Sequence, residues 1–268
     1  MAIRDITLGQ YFPGTTPIHR MDPRAKLMLT LFYIVALFLA DSLLTYLILF
    51  ALLAAGVAIS RIKPKTILKG LKPVFIILVV TAILNIFYTP GRELVSFWIF
   101  TITYEGIRNA VFMIWRIMML ISCTFLLTYT TSPLALTDGL EQLLNPLKKI
   151  RVPVHELAMM MSIALRFIPT LIEETDKIMS AQRARGADFD SGSLLDKAKA
   201  LIPLLVPLFI SAFRRADELA TAMECRCYHG GEGRTRLHEL HYRPSDRICI
   251  FAGLLLCIVI GLLRHFSF

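Results

Sequence analysis

The sequence predicts an all-α membrane protein with about five transmembrane helices and a helical cytoplasmic domain inserted before the last of them. Three observations carry this prediction. Of the 268 residues, 56% are hydrophobic and the mean hydropathy is +0.62, against roughly 45–50% apolar content in a soluble domain. Five runs have the length of apolar chain, about 20 residues, that spans a bilayer. A long mixed stretch, residues 132–246, separates the fourth run from the fifth.

The spans follow in order. Residues 25–41 and 43–60 form a pair separated by a very short polar break. Residues 68–88 make a third if Lys69 and Lys72 snorkel at its start. Residues 109–131 make a fourth, interrupted by Arg116, and 248–263 a fifth, flanked by Arg247 and Arg264. The connection at 61–72 carries Arg61, Lys63, Lys65, Lys69 and Lys72 with no acid, whereas the one after residue 88 is nearly balanced. The positive-inside rule therefore puts 61–72 and the N-terminus in the cytoplasm. Five crossings then leave the C-terminus outside. The expected organisation is 1–131 for the first four helices, 132–246 for the cytoplasmic domain and 247–268 for the last helix. Two apolar segments inside 132–246 are read as helices of that domain. One, 200–213, is short and holds Pro203 and Pro207; the other, 154–172, is interrupted by Glu156 and Arg166.

Composition also excludes. The formal net charge of +9 is read as loop charge, and no isolated basic tail or aromatic-interleaved patch points to nucleic acid. Five cysteines, an odd count with three in apolar runs, do not form a disulfide framework. No early apolar core with a cleavage site marks a signal peptide. No G-x-x-x-x-G-K-[ST] loop, HExxH or supported nucleophile–base pair occurs, so the chain is not expected to be an enzyme or to hold a cofactor.

One element occurs twice. DKIMSAQRARG runs from Asp176, and DELATAMECRC from Asp217. Aligned on the aspartate, both read Asp, x, Ile/Leu, x, Ser/Thr, Ala, three residues, Arg, which matches Arg185 with Arg226. Each has an Asp early and an Arg late on helix-forming sequence, as the macrodipole favours. Gly186 can cap the first copy, and Gly230 and Gly231 offer a similar stop after the second. A plain reading is two amphipathic helices with dipole-favoured ends. A sharper one is a pair of guanidinium-tipped helices for a partner with two similar halves, since arginine brings a rigid fork of donors that is cheaper to desolvate than an ammonium.

The two motifs, Ala184-Arg185-Gly186 and Cys225-Arg226-Cys227, resemble the paired X-Arg-X motifs of the transmembrane T component (EcfT/CbiQ-like) of energy-coupling factor (ECF) transporters. The opening GQYFPGTTPIHRMDPRAKL, residues 9–27, resembles that family's N-terminal stretch, most of all in the version shared among several substrate-binding subunits. The resemblance covers essentially the whole chain. It implies that the domain at 132–246 consists of coupling helices and that Arg185 and Arg226 dock into grooves on two ABC-type ATPase subunits. It further implies that ATPase closure is passed to a small membrane-embedded S component, which releases a vitamin or metal inside. ATP hydrolysis would belong to the separate subunits. The flanks Cys225 and Cys227 depart from the usual Ala-Arg-Gly-like second motif, although their small size is kept. A dedicated T component for cobalt, nickel or biotin is the nearer alternative, and a membrane scaffold or a zinc-binding membrane protein the more distant one.

Cys225, Cys227, His229, His238 and His241 are the residues of the zinc reading, but their C-x-C and H-x-x-H spacings miss the common gaps, so no metal site is expected. Arg108 and Arg116 sit in or near the fourth span, where ionisable groups default to functional candidates. Arg116 is expected to pack against neighbouring helices. Met159, Met160 and Met161 are read first as core filler and second as an adaptable apolar surface for several S components.

Overall fold

The computed structural model describes residues 11–97, 100–187, 189, 194–231 and 239–266. The order is α1 (Pro17–Arg20), α2 (Pro23–Leu39), α3 (Leu43–Ser60), α4 (Pro64–Tyr88), β1 (Glu93–Phe97), β2 (Phe100–Thr103), α5 (Tyr104–Thr130) and α6 (Pro133–Leu144). A 3-10 turn at Asn145–Ile150 leads to α7 (Val154–Ala184), α8 (Leu194–Cys225) and α9 (Pro244–Phe266). The fold is all-α; its one small sheet is the antiparallel β1–β2 hairpin in the α4–α5 connection, paired from Glu93 with Thr103 to Phe97 with Phe100. Backbone contacts divide the chain into two compact units, Gly9–Leu140 with Leu240–Phe268, and a second that contains Glu141–Glu239.

Local chemistry explains the helix boundaries. Asp22 caps α2 by accepting from the Arg24 amide at 2.9 Å, with Pro23 at the first helical position. Ser42 and Thr45 make a capping box that starts α3, which is why the polar break between the first two spans is so short. Pro64 starts α4 four residues before the apolar run. Thr103 starts α5 by accepting from the Gly106 amide at 3.1 Å.

Five helices are long and apolar enough to cross a membrane: α3, α4, α5, α7 and α9 as far as Arg264. This is a multi-pass membrane protein. The set differs from the predicted one at two helices. The 17 residues of α2 rise only about 25 Å, the short end of a span. The first half of α7 is apolar enough to join the set, whereas its second half carries Glu173, Glu174, Asp176, Lys177 and Arg183.

In the first unit the core is built where α2, α3, α5 and α9 meet, from Tyr33, Ala36, Leu37, Tyr46, Leu49, Met119 and Ile260 among others. Polar side chains secure helix ends there. Lys26, buried on α2, donates to the carbonyl of Thr130 at 2.9 Å and to Thr131 Oγ1 at 3.0 Å, at the end of α5. Arg116 donates from Nε to Tyr46 Oη at 2.9 Å and from a terminal nitrogen to the Ala40 carbonyl at 3.2 Å, just past α2. The expectation that Arg116 packs against neighbouring helices holds. Arg108 lies over the Phe112 ring at 5.5 Å. The opening segment is fixed as well: the Phe12 amide donates to the Tyr129 carbonyl at 3.0 Å, and His19 Nε2 donates to the Phe12 carbonyl at 3.1 Å. Burial, with Lys26 nearby, holds the His19 imidazole below its ordinary pKa. In its neutral form Nδ1 accepts from Thr16 Oγ1 at 2.6 Å.

At Gly106 the backbones of α4 and α5 approach closely: a Cβ there would stand 2.9 Å from the Ile86 carbonyl oxygen and 3.1 Å from that of Asn85. Backbone cannot give way as a side chain can. Gly106→Ala is expected to cost roughly 1–3 kcal/mol, seen as a lower thermal midpoint in detergent. Gly56→Ala, which meets only a Leu126 methyl at 3.2 Å, should change that midpoint much less.

Candidate functional site

The two arginine elements lie at the ends of α7 and α8, and those ends have the same backbone. Arg185 is the cap residue of α7. Beyond it Gly186 has a φ of +88°, the Gly186 amide donates to the Arg183 carbonyl at 3.0 Å, and the Ala187 amide reaches back to Gln182 at 3.0 Å. At α8, Arg226 holds the same place. Cys227 has a φ of +56°, its amide donates to the Glu224 carbonyl at 2.8 Å, and the Tyr228 amide reaches back to Met223 at 3.0 Å. Both are Schellman motifs, in which the left-handed residue turns two amides onto the last helical carbonyls. The match extends upstream: Ser180 Oγ donates to the Asp176 carbonyl at 2.8 Å and Thr221 Oγ1 to that of Asp217 at 2.9 Å.

The structure therefore moves the second stop. The left-handed turn falls on Cys227 and not on the glycines at 230 and 231. Gly186 adopts this conformation freely, but a residue with a Cβ pays about 1–2 kcal/mol for it. What is conserved between the two ends is the position of the turn relative to the arginine.

Because the backbone satisfies its own carbonyls, the guanidinium groups are not needed to cap them. Arg185 and Arg226 are exposed, as are Ala184, Gly186, Cys225 and Cys227. Among the described residues, neither guanidinium group has a hydrogen-bond or ion-pair partner. Arg183, by contrast, lies over the Phe189 ring at 5.8 Å.

The contacts between α7 and α8 run in opposite chain directions. Gln182 Nε2 donates to the Pro203 carbonyl at 3.4 Å, and farther back on α7 Glu174 accepts from Ser211 Oγ and from Arg215 at 2.8 Å. The helices are antiparallel, so their C-terminal arginines stand at opposite ends of the pair, on the order of 30–40 Å apart by helical rise. His155, on the first turn of α7, bonds Glu141 Oε1 through Nδ1 at 3.0 Å, and a Cβ on Gly231 would meet its ring at 2.5 Å. That contact holds the chain leaving the Arg226 element against the start of α7.

Comparison with known proteins gives the family. The cobalt transport protein (CbiQ) family model matches residues 14–237. A protein of Clostridium kluyveri is 56% identical over 261 residues, covering 96% of this chain and 97% of its own. One of Acidaminococcus fermentans is 52% identical over 262 residues, with 98% of both chains covered, and one of Bacillus subtilis 48% over 258, covering 96% and 97%. All three are named energy-coupling factor transporter transmembrane protein EcfT. The chain belongs to the EcfT family. It is a transmembrane component of an energy-coupling factor transporter.

Other features of this EcfT-family chain differ from the sequence reading. Met160 and Met161 are about half exposed and Met159 partly so, so they do not fill the core of this chain as the first reading expected. No three His, Cys, Asp or Glu side chains converge on a common point among the described residues; His238 lies outside them, as do Gly9 and Gln10 of the opening segment. The Glu174–Arg215 pair was not read from the sequence, yet a signal existed. The two residues are 41 apart, the offset that aligns Asp176 with Asp217, so equivalent positions of the repeat carry opposite charges.

The capping geometry predicts the effect of single changes. Gly186→Ala should speed hydrogen exchange at the Ala187 amide about fivefold, and Cys227→Gly should slow it at Tyr228 by a similar factor, from roughly 1 kcal/mol at each turn. Site-resolved exchange measured by mass spectrometry checks both.

Proposed function

We propose that the chain is the coupling subunit of its transporter. Arg185 and Arg226 dock into two ABC-type ATPase subunits, and the motion of α7 and α8 on ATP-driven closure is passed to a small membrane-embedded S component that carries a vitamin or other micronutrient. The observation that carries this reading is the pair of exposed arginines without a partner among the described residues, each set on the same Schellman turn. A capping or structural arginine would have its donors occupied at home.

The rest of the proposal follows from charge and surface. The segment 132–246 lies in the cytoplasm, with the N-terminus inside and the C-terminus outside. The crossings are α2, α3, α4, α5 and α9. The charged second half of α7 favours an interfacial or cytoplasmic position over a span. Exposed apolar side chains on α7 and α8, among them Met160, Met161, Phe209, Ile210 and Phe213, supply a surface for the S component. Adaptable methionines suit one that serves several partners.

A membrane pull-down of the tagged chain tests the reading, with partners identified by mass spectrometry. Arg185→Glu or Arg226→Glu should weaken recovery of ATPase subunits, on the order of 30-fold or more each in affinity, as truncating one side of a buried charge-assisted contact does. The double variant should insert normally, lose the ATPases and fail in uptake. Wild-type uptake by the double variant refutes the docking role. Recovery of several S components marks a shared module, and recovery of one marks a dedicated importer.

A further inference from the structure

The start of α4 carries a second concentration of charge that the coupling reading does not use. Arg61, Lys63, Lys65, Lys69 and Lys72 occur with no acid among residues 61–72, and none has an ion-pair partner among the described residues. Lys65, Lys69 and Lys72 are spaced i, i+4 and i+7, which places them on one face of the helix. That face forms one wall of a groove of about 510 Å³ between α4 and α5, lined by the three lysines together with Leu68, Phe75 and Met118.

Two physical features make this groove a site for a negatively charged amphiphile. The first is the charge of the helix start. The N-terminus of α4 has no acid in its first turn, and Lys63 at the cap position makes no side-chain capping bond. A helix N-terminus carries a partial positive charge that favours anions, so lysines there add like to like until an anion joins them. The second is that the same face turns apolar. Leu68 and Phe75 are well exposed at 59% and 64%; Leu68 lies among the lysines, and Phe75 follows them along the helix toward the apolar part of the span.

We propose that this groove binds an anionic phospholipid, with its phosphate among Lys65, Lys69 and Lys72 and an acyl chain along Leu68, Phe75 and Met118. Lysine ammonium groups at the membrane interface attract anionic headgroups as point charges while their stems lie on apolar surface. A free phosphate would leave the apolar half of the groove empty. A zwitterionic lipid would bring its own cation to the lysines.

The test uses the full chain purified in detergent and titrated with dioleoylphosphatidylglycerol, dioleoylphosphatidylcholine or glycerol 3-phosphate, with occupancy read by native mass spectrometry. Phosphatidylglycerol should bind at least about tenfold more tightly than phosphatidylcholine, and the Lys65→Gln/Lys69→Gln/Lys72→Gln variant should lose that preference. These are surface changes, so an unaltered thermal midpoint without lipid verifies the fold of the variant. Equal affinity for the two lipids, or a preference unchanged in the variant, overturns the proposal. So does glycerol 3-phosphate binding as tightly as phosphatidylglycerol, which would mark a soluble-phosphate site. If the variant keeps the lipid preference but loses a subunit in the pull-down, the groove belongs to a protein partner and the proposal fails. No ATPase is needed for the binding experiment, so its result is independent of the docking arginines.

Discussion

The last carbonyls of every helix have no partner within the helix, and in a bilayer water is not there to supply one. Much of this structure can be read as the ways in which that deficit is met. At the end of α5 the donor is Lys26, reaching over from α2 to Thr130. Just past α2 it is Arg116, reaching from α5 to Ala40. In these two places a cation from one helix closes the end of another, which ties the bundle together and offsets the desolvation of the charge. At α7 and α8 the solution is different. The chain folds back on itself through a left-handed residue, and the cation at the tip is left over. The same residue type is thus structural where it closes another helix and available for recognition where the backbone closes its own.

Some of this was legible in the sequence because it rests on local chemistry. The apolar runs and the stop at Gly186 were read from side-chain type and spacing; the helix starts at Asp22, Ser42 and Pro64 rest on the same local chemistry but were not read. The repeat was legible too, since Asp176 to Arg185 and Asp217 to Arg226 align without gaps. What could not be read depends on which surfaces meet. The turn at Cys227 departs from expectation because glycine is the default signal for that conformation, and two glycines lay a few residues farther on. Met160 and Met161 look like core residues by type, and only the fold shows them facing outward. The length of α7 hides two halves of different character, which hydropathy averages together.

The pairing of Glu174 with Arg215 shows a limit of another kind. Repeats are usually searched for likeness, and these positions differ in charge. Yet the antiparallel arrangement brings one copy's position against the other's, where opposite charges suit and identical ones would repel. Ser211 adds a third group to that junction. A break from strict repetition at such a point is what an antiparallel pair of similar helices requires.

That junction lies between the two arginine tips, 11 residues before Arg185 on α7 and 11 before Arg226 on α8. A stiff pair that swings about it behaves as a see-saw with equal arms: when one tip dips the other rises by as much. Whatever grips both tips can therefore turn a pull at one end into an equal and opposite displacement at the other, without either helix having to bend.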